Sequence, residues 1–221
     1  MGPLGAIGLT LLGIDVLSRF FPAKTLGRLP GGGGPRLRGV PPAGRGRKVH
    51  APGIRQRLSI IRSAVKRGGA DARVRELALG ILTRKCGESW CVAEKDWKAE
   101  ATALFDYVRE NVRYTRDPLR HDTYVSASRT LGAWRGGDCD DLTIALGALL
   151  ESVGFQTMMR VVQTEGNNGF NHIYLAAVLP EGGGALGGGR PETFALDASM
   201  DKPAGWEVPE SMVIKRMDVN V

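Results

Sequence analysis

The stretch that decides the fold is Arg135-Gly136-Gly137-Asp138-Cys139-Asp140-Asp141, followed directly by the apolar run Leu142 to Val153. Two glycines favour a tight turn, and Asp138 is a residue type that caps helix N-termini. The apolar residues recur at helical spacing until Gly154 ends the pattern. The sequence therefore predicts a buried helix that begins next to Cys139.

Cys139 occupies the first turn of this predicted helix. The free backbone N–H groups and the positive dipole end there favour a thiolate, and a nearby imidazolium would lower the thiol pKa further. This position suits a nucleophile. A buried structural cysteine is the alternative, because free cysteine is among the most buried residue types. The segments that follow the helix favour the nucleophile.

Those segments have the pattern of three strands: Phe155 to Gln163, Asn171 to Val178 and Glu192 to Asp197. His172 lies near the start of the second strand, and Asp197 ends the third. A histidine next to the cysteine-bearing helix can accept the thiol proton, and an aspartate on the adjacent strand can fix its tautomer. His121 is another candidate base, but it has no such aspartate partner.

The block GGDCDD, the histidine at a strand start and Leu196-Asp197-Ala198-Ser199 together resemble the transglutaminase-like superfamily of papain-like cysteine enzymes. Val112-Arg113-Tyr114 is similar to the short strand that precedes the active-site helix in that family. The resemblance runs from about Val112 to Asp201. It implies an α+β fold in which helices pack on an antiparallel sheet and the nucleophile begins the central helix.

Carried onto this chain, the resemblance implies that Cys139 is the nucleophile, His172 the general base and acid, and Asp197 the orienting carboxylate. The family often has Trp two residues after the histidine, where this chain has Tyr174. Papain-like enzymes hold the oxyanion with the nucleophile's own N–H and one upstream side-chain donor. The candidates for that donor here are Tyr114, Tyr124 and Trp134.

Three carboxylates flank the cysteine, at Asp138, Asp140 and Asp141. Near a helix N-terminus their simplest role is capping and compensation of the dipole. Because they also oppose thiolate formation, we expect at least one to be turned away or paired with Arg135. We predict neither a metal site nor a cofactor, since the histidines show no finger-type spacing with the cysteines.

The remaining cysteines, Cys86 and Cys91, are separated by four residues. This spacing permits a local disulfide. We favour two structural thiols in a reducing compartment.

The chain has 221 residues, enough for one domain and an extension. We predict an apolar docking segment over residues 1–22, a flexible Gly- and Pro-rich arm over 23–53 and the catalytic domain over 54–221. Helices are predicted over 54–67, 71–84 and 92–112, a loop-rich approach over 114–134, and a turn-rich tail over 203–209 whose Trp206 walls the cleft. The Gly-rich stretch 182–189 is either a lid or a linker.

The net charge of +7 comes from the first part of the chain, because residues 16–70 hold thirteen Lys and Arg and no Asp or Glu. Such an arm suits nucleic acid, anionic lipid, an acidic protein surface or a larger assembly. A solvated tail, or one that contacts its own acidic domain, is the alternative.

The short apolar segment at the start lacks the pattern of a signal peptide and the length of a membrane span. We therefore expect a cytoplasmic protein or a component of a phage particle or virion.

We predict thiol-dependent acyl transfer on peptide or carboxamide bonds, with hydrolysis favoured over crosslinking. The small bacterial and phage proteins that it resembles are mostly peptidases or amidases. The alternative function is a structural or adaptor protein that keeps the fold and docks through its N-terminal arm.

Overall fold

The computed structural model of the chain describes residues 47–49, 53–117, 122–180 and 192–221. The docking segment, most of the basic arm, His121 and the Gly-rich stretch 182–189 lie outside these residues. Within the described part of the chain, no helix combines the length and apolar character needed to span a membrane.

Four longer helices and one short helix are present in the described residues: α1 (Ile54–Gly69), α2 (Ala72–Leu82), α3 (Trp97–Asn111), α4 (Ala127–Arg129) and α5 (Cys139–Ser152). A π-helical turn, Thr130–Trp134, follows α4. The first two predicted helices are confirmed to within about two residues. The third begins at Trp97 rather than residue 92, because Asp96 caps it by accepting a hydrogen bond from the amide of Ala99 at 2.9 Å.

A four-stranded antiparallel sheet has the strand order β10-β7-β8-β9. The three predicted strands are confirmed as β7 (Gln156–Thr164), β8 (His172–Leu179) and β9 (Glu192–Leu196). The edge strand β10 (Val213–Asn220) was not predicted. Within the described residues it pairs with β7, and most of its side chains are exposed, so it lacks the continuous buried apolar run that marks β8.

Three two-stranded sheets are also present in the described residues. The strand β1 (Arg47–Val49), within the segment predicted to be flexible, pairs with β5 (Asp122–Tyr124), and β2 (Lys85–Cys86) pairs with β3 (Ser89–Trp90). The strand β4 (Arg113–Tyr114) runs parallel to β6 (Gly136–Gly137), which puts Tyr114 in register with Gly137. The β4–β6 pair thus places β4, the strand predicted to precede the active-site helix, next to the turn from which that helix starts.

The expectation of free thiols at Cys86 and Cys91 is wrong, because the two residues form a disulfide across the β2–β3 hairpin. The paired strands bring the two Cα atoms to 4.9 Å, a separation that a disulfide spans readily. Cys139 is therefore the one free thiol among the three cysteines of the chain.

Helix α5 is the centre of the domain, and each of its residues from 140 to 150 is buried. Helices α1, α2 and α3 and strands β7 and β8 all contact it. Two glycines allow α1 to approach closely: a Cβ on Gly147 would lie 2.9 Å from Val65 Cγ1, and one on Gly68 would lie 2.6 Å from Ala148 Cβ. The fold is thus the α+β arrangement predicted, with Cys139 at the start of the central helix.

The close contact between α1 and α5 predicts that Gly68→Val destabilises the fold. The added side chain has no space between Ala148 and Ala127, and overpacking of this kind costs about 1–3 kcal/mol. The free energy of unfolding in urea measures the effect. Gly53→Ala is the control, because a Cβ there meets nothing within 4 Å; an equal loss in both variants would contradict the prediction.

Candidate active site

The turn before Cys139 is built so that a carboxylate can pack over it. A Cβ on Gly137 would lie 2.7 Å from Asp141 Oδ2, so glycine is required for this close approach. Asp138 is the N-cap of α5, as predicted, and its Oδ1 accepts hydrogen bonds from the amides of Asp140 at 3.0 Å and Asp141 at 3.3 Å. The turn and the cap together fix where the Cys139 side chain starts.

The other two carboxylates at this helix end are buried, and each contacts a different element. Asp141 Oδ1 accepts a hydrogen bond from the amide of Val125 at 2.7 Å. Asp140 Oδ2 lies 3.3 Å from Arg57 Nη2 on α1, so of the two expected alternatives, a carboxylate turned away or one paired with Arg135, the second is not seen for Asp140. Arg135 instead donates its Nε–H to the carbonyl of Gly132 at 3.2 Å.

Arg57 is a site residue that sequence reasoning missed. Its Nε also lies 3.6 Å from Asp122 Oδ2, so it joins α1 to both α5 and β5. Its sequence position gives no signal, because it lies 83 residues from Asp140 and appears there as one cation of the basic segment.

The Cys139 thiol is not in an environment that favours a thiolate. Burial raises its pKa well above the usual value, and the charges of Asp140 and Asp138 raise it further. The amide of Ile173, which donates to the sulfur, and Arg57 act in the opposite direction but do not compensate. The expectation of a lowered thiol pKa is therefore wrong for this structure, and the resting group at neutral pH is the thiol.

His172 and Asp197 form a buried pair. Their Nε2 and Oδ2 atoms are 2.6 Å apart, and Asp197 Oδ1 accepts hydrogen bonds from the amide and hydroxyl of Ser199 at 3.1 and 2.7 Å. Burial lowers the pKa of His172, but the charge and hydrogen bond of Asp197 oppose it, and the net pKa is raised. Because Asp197 Oδ2 accepts a hydrogen bond from Nε2–H, Nδ1 is the ring nitrogen left for other chemistry.

Cys139 and His172 border the same cavity, which has a volume of about 30 Å³. It lies between the first turns of α1 and the β7–β8 hairpin. Trp206, which was expected to wall the cleft, lines a separate surface groove with Lys98 and Phe194.

The three candidate oxyanion donors occupy different places. Burial raises the pKa of the Tyr114 hydroxyl, and the neighbouring charges of Cys139 and Asp138 raise it further, which puts this hydroxyl beside the thiol. Burial and Asp140 raise the pKa of Tyr124 to about 12, and its hydroxyl lies beside Arg57. Trp134 is 55% exposed, and its ring packs against Arg129.

Asp138, Cys139 and Asp140 place three atoms of metal-ligand type within 4.8 Å of one another. The Asp138 carboxylate already caps α5, and the Asp140 carboxylate already pairs with Arg57. These contacts compete with metal coordination, and the absence of a metal site stays a prediction.

The acidic neighbours of the thiol predict how its reactivity depends on pH. We expect alkylation of wild-type Cys139 by iodoacetamide to rise with pH only above its ordinary pKa, and Asp140→Asn to lower the midpoint by about one pH unit. Intact-mass measurement of labelling rates against pH gives the midpoints, because Cys139 is the one free thiol.

Asp122→Asn is the matched control, since Asp122 also contacts Arg57 but is not among the main groups that raise the thiol pKa. An equal shift in both variants would show that the effect acts through Arg57 and not through the charge of Asp140.

Residues 85–183 match the family described as the transglutaminase-like superfamily. A solved structure described as a candidate cysteine protease from Cytophaga hutchinsonii is similar to 66% of this chain, with 17% identity and a TM-score of 0.39. The chain spans 42% of the length of that protein. Among curated proteins, none matches this sequence.

The family match includes the turn, Cys139, α5 and His172, whereas Asp197 lies beyond it. The resemblance found in the GGDCDD block is thereby confirmed, because the residues that match the transglutaminase-like superfamily include this block.

Proposed function

We propose that this protein is a cysteine peptidase or amidase that transfers acyl groups from peptide or carboxamide bonds to water through Cys139, His172 and Asp197. One observation carries the proposal: the buried His172, which pairs with Asp197 at 2.6 Å, borders the same cavity as the free thiol at the start of α5. Nucleophile, base and orienting carboxylate are the groups that thiol-dependent acyl transfer needs.

The raised thiol pKa makes His172 a general base at the moment of attack, in place of a resting ion pair. As Cys139 Sγ bonds to the substrate carbonyl carbon, His172 Nδ1 takes the thiol proton. The imidazolium then protonates the departing amine as the C–N bond breaks, which leaves a thioester. Water, deprotonated by the same imidazole, attacks the thioester, and Sγ recovers its proton as the carboxylic acid leaves.

Asp197 supports this sequence by holding His172 in one tautomer. Its Oδ2 binds Nε2–H, and its Oδ1 is fixed by two hydrogen bonds from Ser199. The carboxylate also stabilises the imidazolium that forms during attack, because its charge and hydrogen bond raise the pKa of His172.

The oxyanion would be held by the Cys139 backbone N–H, which points out of the first turn of α5, and by the hydroxyl of Tyr114. Tyr114 is favoured over the other two candidates because its hydroxyl lies beside the thiol, while Tyr124 lies beside Arg57 and Trp134 contacts Arg129.

A second function, that of a structural or adaptor protein docking through the N-terminal arm, is favoured by two observations. The thiol lies beside a cavity of only about 30 Å³, and its pKa is raised rather than lowered. A scaffold that kept the fold without the activity would tolerate both features. The basic arm would then contact nucleic acid, an acidic protein surface or a larger assembly.

The acyl-transfer proposal predicts that p-nitrophenyl acetate acylates Cys139. Sγ bonds to the acetyl carbon, p-nitrophenolate leaves and the thiol proton passes to His172. We expect one acetyl group per chain by intact mass, none on Cys139→Ala, and acylation about 100-fold slower in His172→Ala. Nitrophenolate release gives the rate.

Two results would contradict the enzyme. Equal acetylation in wild type and Cys139→Ala would mean that the acetyl group is bound to a residue other than Cys139. An unchanged acylation rate in His172→Ala would mean that His172 is not the base. Either result favours the scaffold. If Cys139 is acylated, adding a primary amine distinguishes water from amines as the acyl acceptor, since an amide product in place of acetate would indicate transamidation.

The oxyanion assignment predicts that Tyr114→Phe lowers the acylation rate about 10- to 100-fold with a small effect on KM, because the donor acts in the transition state. Tyr124→Phe is the matched control and should stay close to wild type. Equal losses in the two variants would assign the effect to packing and not to a donated hydrogen bond.

A further inference from the structure

Two pockets of the described residues border Cys139, and both are small. The cavity that borders both Cys139 and His172 has a volume of about 30 Å³, enough for about two water molecules. Any acyl carbonyl must come within about 3–3.5 Å of the sulfur in order to react. The atoms attached to that carbonyl must therefore fit in or next to this cavity.

A second pocket beside Cys139 is too small to admit an acyl group. This pocket is enclosed by residues of α5, β8 and the segment after β9, among them Leu142, Tyr174 and Ser199. Its accessible volume is about 0 Å³, so it admits no water. The cavity on the α1 side is therefore the space available to an acyl group.

The wall of this cavity formed by α1 is apolar, apart from one ion pair. Leu58 and Ile61 are 5% and 1% exposed, and Phe170 and Ile173 face them from the β7–β8 side. The one cation, Arg57, is already paired with Asp140 and Asp122. A charged acyl group would have to break these contacts.

The α1 wall is also fixed in place. Further along α1, the side chain of Val65 packs against Gly147, and Gly68 packs against Ala148, with no room for an added methyl group at either glycine. The contacts of Arg57 with α5 and β5 hold the first turns. Widening the cavity on this side would require α1 to move away, which would open this interface.

We propose that the acyl donor of this enzyme carries a small uncharged group next to its reactive carbonyl, as glycyl, alanyl or acetyl groups do. This inference rests on the proposed acyl transfer and names the class of its substrate. Leu58 and Ile61 are then the residues that determine specificity, because their side chains set the depth of the cavity.

The test compares acylation of the full chain by p-nitrophenyl acetate, butyrate and hexanoate, each corrected for its rate with N-acetylcysteine and for release by Cys139→Ala. We expect the corrected acylation rate with hexanoate to be at least about tenfold lower than with acetate. One methylene that a pocket cannot accommodate lowers the rate by about 10- to 200-fold. Intact mass locates each acyl group.

Leu58→Ala should deepen the cavity and raise the hexanoate-to-acetate rate ratio about tenfold. Leu77→Ala is the matched control: it removes the same atoms from a residue that is 3% exposed on α2 and does not line the cavity, so the ratio should not change. If Leu58→Ala does not fold, Ile61→Val removes one methyl group from the same wall and should raise the ratio in the same direction.

The outcomes are distinguishable. If acetate does not acylate Cys139 in the wild type, the proposed function fails. If acetate acylates Cys139 but hexanoate does so at the same corrected rate, acyl transfer stands and the small-group specificity is overturned. A ratio that rises equally in Leu58→Ala and Leu77→Ala would likewise overturn the assignment of α1 as the specificity wall.

Discussion

The rest of the site depends on two carboxylates buried at the N-terminus of α5. Asp141 accepts the amide hydrogen of Val125, and Asp140 pairs with Arg57, so the loop after β5 and helix α1 are both tied to the residues that follow Cys139. Helix α5 is surrounded by protein, and its orphan N–H groups need partners that water cannot supply. The acidic sequence around the cysteine is therefore structural in the first place.

This arrangement has an electrostatic cost that shapes the chemistry. Burial, together with neighbouring carboxylates, raises the pKa of Asp138 to about 8, and burial raises that of Asp141 to about 7. The same surroundings keep Cys139 protonated, and Arg57 offsets only part of the effect. In the proposed acyl transfer, a thiol held in this state needs a base within reach, and the raised pKa of His172 suits it to receive the proton. The acidic turn thus favours general-base activation over a preformed thiolate.

The central helix and the strands β7, β8 and β9 were predictable, because buried elements carry strong apolar patterns. The misses have separate physical causes. The edge strand β10 has mostly exposed side chains, so its pattern is weak. The disulfide of Cys86 and Cys91 needs the β2–β3 pairing, which residue types alone do not specify. The β1–β5 pair joins segments far apart in the chain, and local sequence contains no information about such pairing.

By itself, the sequence determined the order of chemical groups: a capped turn, a cysteine at a helix start, a histidine at a strand start and an aspartate at the end of the next strand. These follow from local patterns, which short-range sterics and hydrogen bonding impose. The tertiary structure decided what surrounds them. The pairing of Asp140 with Arg57, the raised thiol pKa and the cavity of about 30 Å³ all arise where α1, α5 and β8 meet. The burial of a side chain and the electrostatic effect of its neighbours depend on residues that are distant in the chain, and only the packed fold brings those residues together.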